Sequence, residues 1–122
     1  MKVAIFGASN NPDRYSAMAM NLLIKKGHEV FLINPRLTEI DGKKCYKDIL
    51  ELKKSGILIE TLTMYINPQI LAKEIDKIFE LNPKRIIFNP GTESPAFYEI
   101  LKKNNIEVLE ACTLVMLNTN QF

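Results

Sequence analysis

The 122-residue sequence predicts a single α/β domain, residues 1–122, in which helices cover both faces of a five-stranded parallel sheet. Two observations support this fold class. Short apolar runs alternate with amphipathic segments of helical spacing, and the first apolar run breaks into a loop of small polar residues. Such alternation gives parallel strands joined by right-handed crossovers. We therefore expect three layers, with the strands in the order 3-2-1-4-5.

The first strand and the first helix have the clearest patterns. Lys2–Phe6 form a nearly continuous apolar run, which is typical of a strand covered on both faces. Tyr15–Lys26 carry apolar side chains at helical spacing, and Gly27 is placed to end that helix. A second strand, Val30–Ile33, then stops at Asn34-Pro35.

The middle of the sequence is the least regular part. Cys45-Tyr46 indicate a short extended piece, and Asp48–Lys54 predict a brief helix. A third strand is expected within Ile57–Ile66. Asn67 then caps a helix whose first position is Pro68, because asparagine and proline are favoured at these two positions.

The last third of the sequence repeats the strand-and-helix pattern. Ile86–Phe88 predict a fourth strand, and Ser94-Pro95 start a helix by the same arrangement of cap and proline. A fifth strand is expected at Ile106–Leu109, and a short terminal helix at Leu114–Leu117. The strand-to-helix loops follow each of these strands at one edge of the expected sheet.

Composition and charge argue against several classes of function. Hydrophobic residues make up 47% of the chain, charged residues 25%, and the formal net charge is +2, as is usual for a globular domain. Lysine pairs occur without interleaved aromatic residues, so a nucleic-acid partner is not expected. No apolar run reaches the roughly 18 residues of a membrane span, and no leader pattern is seen at the start. We expect a cytoplasmic protein with no membrane association.

The cysteines and the single histidine do not form a metal-binding pattern. Cys45 and Cys112 lie far apart in the sequence, so we expect no metal site and two free thiols. His28 follows the glycine that ends the first helix, and we expect it to be a surface turn residue. Cys112 is expected either as a small buried residue or as a reactive thiol.

The loop after the first strand has the composition of a phosphate-binding turn. A ligand of such a sheet lies beyond the carboxyl ends of the strands. A glycine permits a tight turn, and free amides at a helix start favour an anion, to which an arginine and hydroxyl groups add contacts. The alternative is an ordinary turn with its arginine in solvent, since one glycine stands where dinucleotide fingerprints have three. The candidate residues are Gly7, Ala8, Ser9, Asn10, Arg14 and Ser16.

The loop after the second strand bears on the identity of the ligand. An NAD-binding fold usually ends this strand with an acidic residue that holds the ribose hydroxyls. Here Asn34 stands in that position, followed by Pro35 and Arg36. A cation without an acid disfavours NAD and suits a nucleotide with a phosphate on its ribose, which describes both NADP and coenzyme A. The alternative is a surface turn with an exposed arginine.

These motifs together resemble a known family. The run GASNNPDRYS at residues 7–16, the stretch GHEV at 27–30 and the INP at 33–35 are similar to those of small stand-alone CoA-binding proteins. Those proteins are similar in turn to the CoA-binding domain at the front of the succinyl-CoA synthetase alpha subunit. The resemblance covers nearly the whole chain and includes Gly42–Tyr46, Asn89–Gly91 and Cys112.

The resemblance implies a Rossmann-like domain that holds coenzyme A or an acyl-CoA. The phosphates would lie near Gly7, Ser9 and Arg14, and the adenosine part near Asn34–Arg36. It further implies a module that stores, senses or delivers the ligand, since the stand-alone members have no settled reaction. The pantetheine arm would run past four further residues, namely Tyr65, Ile66, Asn89 and Gly91.

No catalytic group can be assembled from the sequence. His28 falls at the opposite edge of the expected sheet, and neither Cys112 nor Glu93 has an identifiable base partner. Two alternatives to a CoA-binding module stay open. One is an NADP-binding redox or regulatory domain, and the other is an interaction domain on the same scaffold that binds no nucleotide.

Overall fold

The computed structural model describes the whole chain, Met1–Phe122. A single seven-stranded sheet lies in the middle of the molecule. Its strands are β1 (Lys2–Phe6), β2 (Glu29–Ile33), β3 (Glu39–Ile40), β4 (Lys43–Tyr46), β5 (Thr61–Met64), β6 (Arg85–Phe88) and β7 (Glu107–Glu110). The helices are α1 (Tyr15–Lys25), α2 (Ile49–Lys54), α3 (Pro68–Leu81), α4 (Pro95–Lys103) and α5 (Thr113–Asn118).

The α/β fold class and the three layers are confirmed, but the predicted sheet is wrong. The strands lie in the order β3-β4-β2-β1-β5-β6-β7 and form a mixed sheet, instead of five parallel strands in the order 3-2-1-4-5. Six strands are parallel, and β3 pairs antiparallel with β4. The expected third strand, β5, pairs with β1, because β4 already occupies the place beside β2.

The strand that changes the order is β4, which the sequence indicates only as a short extended piece. It pairs with β2 through two positions, Leu32 with Cys45 and Ile33 with Tyr46. Its first two residues are exposed lysines, so the apolar pattern covers only half of the strand. A tight turn at Asp41-Gly42, where both φ angles are positive, folds β3 back onto it.

The core is divided by the sheet into two unequal halves. Helices α2, α3 and α4 cover one face over a cluster of 17 buried apolar residues. The other face is covered by α1 and α5, which contact each other over a cluster of nine. The layer of α1 and α5 is therefore the thinner one, and several of its apolar side chains, including Tyr15, Met18 and Val115, are exposed.

Two helix starts are capped by a side-chain hydrogen bond, and a third, at Ser94, is not. The Asn67 Oδ1 accepts a hydrogen bond from the Ile70 amide at 2.9 Å, with Pro68 at the first helical position. Asp48 caps α2 in the same way. Ser94 occupies the predicted N-cap position, followed by Pro95, but its hydroxyl donates to the Thr92 carbonyl at 3.0 Å and makes no hydrogen bond to α4. That hydroxyl stabilises the loop instead of the helix.

The amino edge of the sheet carries a packed aromatic and cationic cluster. His28 lies in a turn at this edge, as predicted, but its ring packs edge-on against Phe122 with centroids 5.0 Å apart. The Arg85 guanidinium lies 4.5 Å from the centroid of the same Phe122 ring. His28 is therefore a packed residue and not a free surface side chain. None of the five helices is long and apolar enough to cross a membrane.

Candidate ligand-binding site

The loops after the six parallel strands meet at the carboxyl edge of the sheet. In the sheet, β2 and β4 lie on one side of β1, and β5, β6 and β7 lie on the other. The direction of the crossovers therefore reverses between β1 and β5. A crevice forms at such a reversal, because the two neighbouring loops turn away to opposite faces. Three contiguous clefts lie along this edge.

Gly7 ends β1 in a conformation that a side chain would not permit. Its φ is +96°, and a Cβ atom would lie 2.7 Å from the Tyr65 carbonyl oxygen. The Gly7 and Ala8 amides both donate to the Ile33 carbonyl at 3.1 Å. The glycine therefore allows the loop to press against the backbone after β5, and these two amides are already occupied.

The start of α1 lies open to one of the clefts. Arg14 holds the N-cap position without a side-chain hydrogen bond to the helix, and no acidic residue lies in the first turn. The first amide with an intrahelical partner is that of Met18, which donates to the Arg14 carbonyl at 3.1 Å. The three amides before it, together with the helix dipole, make this end electropositive.

A polar cleft of about 310 Å³ surrounds this helix start. The loop that borders it is braced internally, since the Ser9 Oγ accepts from the Asn11 amide at 3.0 Å. The Asn11 Oδ1 accepts in turn from the Asp13 amide at 3.0 Å. The cleft is lined by Gly7, Ala8, Ser9, Arg14, Tyr15, Ser16, Asn34 and Tyr65.

Asn34 joins the loops after β1 and β2. Its Nδ2 donates to the Ala8 carbonyl at 2.8 Å, and its Oδ1 accepts from the Arg36 amide at 2.8 Å. An aspartate could not make the first of these hydrogen bonds, because an ionised carboxylate only accepts. The asparagine in the position of the usual acid is therefore explained by the way these two loops are held together.

An apolar cleft of about 260 Å³ continues from the polar cleft and shares Tyr15 and Tyr65 with it. Burial raises the pKa of Tyr65 to about 12, and its neighbours include the hydroxyls of Thr63 and Thr113. Cys112 is half-buried in the wall, whereas Cys45 is buried elsewhere, and both thiols are free. The cleft is lined by Tyr15, Tyr65, Asn89, Pro90, Cys112 and Leu114.

The buried Asn89 side chain forms the floor of the apolar cleft. Its Nδ2 donates to the Thr63 hydroxyl at 2.7 Å and to the Met64 carbonyl at 2.8 Å. Its Oδ1 accepts from the Thr113 amide at 2.8 Å. Asn89 therefore ties β5, the end of β6 and the start of α5 together, and both of its N–H groups are used in doing so.

A third cleft, of about 350 Å³, lies on the side of α2 and α3 and shares Gly7 with the polar cleft. Its floor is apolar, and Lys47 and Lys77 belong to its lining. The Lys77 ammonium lies 3.0 Å from the Glu74 carboxylate, which raises the pKa of Lys77. The lining consists of Phe6, Gly7, Ile33, Pro35, Lys47, Asp48, Ile66, Ile70, Glu74 and Lys77.

The sequence matches the family described as "CoA binding domain" over residues 1–118. This match covers nearly the whole chain. The protein belongs to the CoA-binding domain family. The resemblance seen in its first two loops is thereby confirmed at the level of the family.

Three relatives show how this CoA-binding domain occurs elsewhere. An acetate–CoA ligase (ADP-forming) of Methanocaldococcus jannaschii is 26% identical over 97% of this chain, which spans 18% of the ligase. The Bacillus subtilis protein YneT is 23% identical over 93% of this chain and 83% of its own length. A crystal structure of an uncharacterized protein has 39% identity and a TM-score of 0.88, with 99% and 97% of the two chains covered. The domain therefore occurs both within a large ligase and as a small protein.

The clefts of this CoA-binding domain bring most of the predicted site residues together. Asn10, Arg36 and Gly91 line none of the three clefts, whereas the other ten predicted residues line at least one. Sequence reasoning missed Tyr15, Pro90 and Leu114 as lining residues. Tyr15 lies inside the motif at residues 7–16 that carries the resemblance. An aromatic residue next to a phosphate-binding loop could therefore have been predicted to line the site. Lys47 lies between β4 and α2 and Lys77 lies on α3, and neither has a local sequence pattern that marks it as a residue of the third cleft.

Proposed function

We propose that the protein binds coenzyme A or an acyl-CoA along the carboxyl edge of its sheet, with residues 1–122 acting as one binding domain. The observation that carries this proposal is the order of the clefts. A partly apolar cleft whose lining holds two lysines and two acidic residues, a polar cleft at a helix start and an apolar cleft are joined in series. Coenzyme A has the same order of parts, namely a base with a ribose phosphate, a pyrophosphate, and a long arm that ends in a thiol.

The polar cleft fits a pyrophosphate. The open amides at the start of α1 and the Arg14 guanidinium supply hydrogen-bond donors and positive charge. Ser16 adds a hydroxyl from the first turn of the helix. In this proposal Gly7, Ala8 and Ser9 shape the loop, and Asn10 lies at its exposed rim.

The cleft on the side of α2 and α3 fits the adenosine part. Pro35, Ile66 and Ile70 offer apolar surface on which a base can pack. The ammonium of Lys47 and the guanidinium of Arg36, which follows Pro35 in the loop, bring positive charge for the ribose phosphate. Asn34 holds this loop against the first one, so that both act on one ligand.

The apolar cleft fits the pantetheine arm, with the thiol end near Cys112. Tyr15 and Tyr65 stand where the polar cleft opens into the apolar one, so the arm would pass between them. Asn89 shapes the floor, and Gly91 gives the loop after β6 its turn, with φ at +90°. These residues would hold and orient the arm, and the ligand would supply the thiol chemistry.

Ligand-induced stabilisation tests the proposal. A ligand at about 100 times its dissociation constant adds roughly 2.7 kcal/mol to the free energy of unfolding. We expect coenzyme A and acetyl-CoA to raise the unfolding temperature, and NAD to leave it unchanged. The Arg14→Gln variant should bind coenzyme A ~10- to 100-fold more weakly, because a charged hydrogen bond to phosphate is lost.

The Lys26→Gln variant is the matched control, since Lys26 lies at the far end of α1 and lines none of the clefts. It should bind coenzyme A as the wild type does. Stabilisation by NADP with none by coenzyme A would replace the proposal with the NADP-binding alternative. If Arg14→Gln and Lys26→Gln weakened the binding of coenzyme A equally, the proposal that the pyrophosphate lies in the polar cleft would be wrong.

A further inference from the structure

We infer that the apolar cleft at Cys112 accepts the free thiol or a short uncharged acyl group of coenzyme A and rejects acyl groups that end in a carboxylate. The inference rests on the proposed function and specifies its ligand class. It follows from three features of the cleft: its lining, the signs of the charges around it, and the hydrogen bonds of its floor.

The lining of the cleft contains no charged side chain. Tyr15, Pro90 and Leu114 give it apolar walls, and the polar atoms come from Asn89, Tyr65 and Cys112. A carboxylate moved from water into such surroundings loses its hydration and gains no opposite charge. A methyl or methylene group in the same place gains contact with apolar surface.

The charged groups nearest in the chain to Pro90 and Cys112 have the wrong sign to attract an anion. Glu110 lies two residues before Cys112, and its Oε2 accepts from the Tyr98 hydroxyl at 2.7 Å. Glu93 follows Pro90 by three residues, and its Oε1 accepts from the Gly91 amide at 2.9 Å. Both carboxylates would repel a third one placed at the end of the arm.

The cations of the neighbouring helices lie at the opposite edge of the sheet. Crossover helices run antiparallel to the strands, so α1 and α4 end at the amino edge, with Lys25 and with Lys102-Lys103 respectively. Helix α5, which supplies Leu114, has the sequence TLVMLN and contains no charged residue. Arg14 lines the polar cleft, where the proposed function assigns it to the pyrophosphate.

The amides of Asn89 and Thr113 at the floor of the cleft are already used within the protein. Both N–H groups of Asn89 are used within the protein, by the Thr63 hydroxyl and the Met64 carbonyl. The Thr113 amide donates to the Asn89 Oδ1 and is buried as well. A carboxylate at this end would therefore have no cation in the lining and no hydrogen bond from Asn89 or Thr113 to compensate its burial.

A pair of ligands of equal length isolates the charge. Butyryl-CoA and succinyl-CoA both carry a four-carbon acyl group, and they differ in the terminal methyl or carboxylate. Titration calorimetry on the wild-type protein should give at least about tenfold tighter binding of butyryl-CoA, because the carboxylate has no partner. A titration with free coenzyme A measures the affinity for the part that the two ligands have in common.

A charge placed in the wall should reverse this preference. Leu114→Lys puts a cation in the cleft and should narrow or invert the ratio of the two affinities. Val115→Lys is the matched control, because Val115 is the next residue of α5, is 58% exposed and does not line the cleft. The affinity for free coenzyme A shows whether each variant keeps its site intact.

The outcomes separate the inference from the proposed function. Equal binding of butyryl-CoA and succinyl-CoA by the wild type, with free coenzyme A bound, overturns the inference and leaves the proposed function standing. Equal shifts of the affinity ratio in the two lysine variants also overturn it. Absence of binding by all three ligands overturns the proposed function and the inference with it.

Discussion

At the scale of single residues, two carboxamides hold the candidate site in shape. Asn34 ties the loop after β1 to the loop after β2, and Asn89 ties β5 to the start of α5. A carboxamide both donates and accepts, so each side chain bridges a carbonyl and an amide at once. Neither a carboxylate nor an apolar side chain could replace it.

Asn34→Asp tests this role. The carboxylate cannot donate to the Ala8 carbonyl and places a negative oxygen against it, so we expect a loss of about 1–3 kcal/mol in the free energy of unfolding. Urea denaturation at neutral pH measures the change. Asn10→Asp, an exposed residue of the same region, should stay within about 0.5 kcal/mol of the wild type. Equal unfolding midpoints for wild type and Asn34→Asp would contradict the bridging role.

The residue types of the site were predictable from the sequence, but their partners were not. Gly7 was expected to permit a tight turn, and the structure shows that it also allows the Tyr65 backbone to approach closely. Asn34 was interpreted only by the absence of an acidic residue at its position. In the structure its side chain donates a hydrogen bond to Ala8, 26 positions earlier. Contacts between loops depend on the strand order, which local patterns do not contain.

At the scale of elements, the predictions succeeded where one element carries its own signals. The α3 start at Asn67-Pro68 and the α1 start at Tyr15 are found where the sequence places them. The strand order failed at β4, because half of that strand is exposed and its pairing with β2 covers two positions. A strand of four residues, of which only two are buried, has too few apolar positions for a periodic pattern.

The two cysteines lie on different elements and should differ in reactivity. Cys45 is buried on β4, and burial raises the pKa of its thiol, whereas Cys112 is half-buried in the wall of the apolar cleft. We expect iodoacetamide to alkylate Cys112 at least about tenfold faster than Cys45, since a buried thiol reacts through opening of the structure. Mass spectrometry of the digested protein assigns each adduct.

Coenzyme A should slow the alkylation of Cys112 and leave the rate at Cys45 unchanged. A Cys112→Ser variant should lack the fast phase. Fast alkylation of Cys112 at saturating coenzyme A would place the arm of the ligand outside the apolar cleft.

At the scale of the whole molecule, the two edges of the sheet carry different structural features. The carboxyl edge carries the three clefts, and the amino edge carries the cluster of His28, Arg85 and Phe122. Phe122 is thus held against the sheet by an aromatic and a cationic contact. We expect this cluster to contribute to stability and to leave ligand binding unchanged.

The pH dependence of stability tests the amino-edge cluster. Burial, the charge of the N-terminal amine and the charge of Arg85 lower the pKa of His28 below its usual 6.5, against an opposing effect of Glu60. The unfolded chain therefore takes up this proton first as the pH falls, and stability decreases below about pH 6.5. Thermal unfolding of wild type and His28→Gln at pH 7.5 and 5.5 measures the effect.

The wild type should lose more stability between these two pH values than His28→Gln does. His28 is the only histidine of the chain, so the variant has no imidazole left to titrate. The carboxyl groups are the same in both proteins, and their effect on stability cancels in the comparison. Identical pH profiles for the two proteins would show that His28 titrates equally in the folded and unfolded states.

The saturated Asn89 side chain also bears on how a ligand enters and leaves the site. With its hydrogen bonds anchored in β5 and α5, the floor of the apolar cleft has no group that can open without breaking a buried network. On the opposite side stands Tyr15, which is 71% exposed and has room to change its rotamer. In the proposed complex the ligand would therefore enter and leave past Tyr15, and its residence time would depend on the motion of this one surface ring.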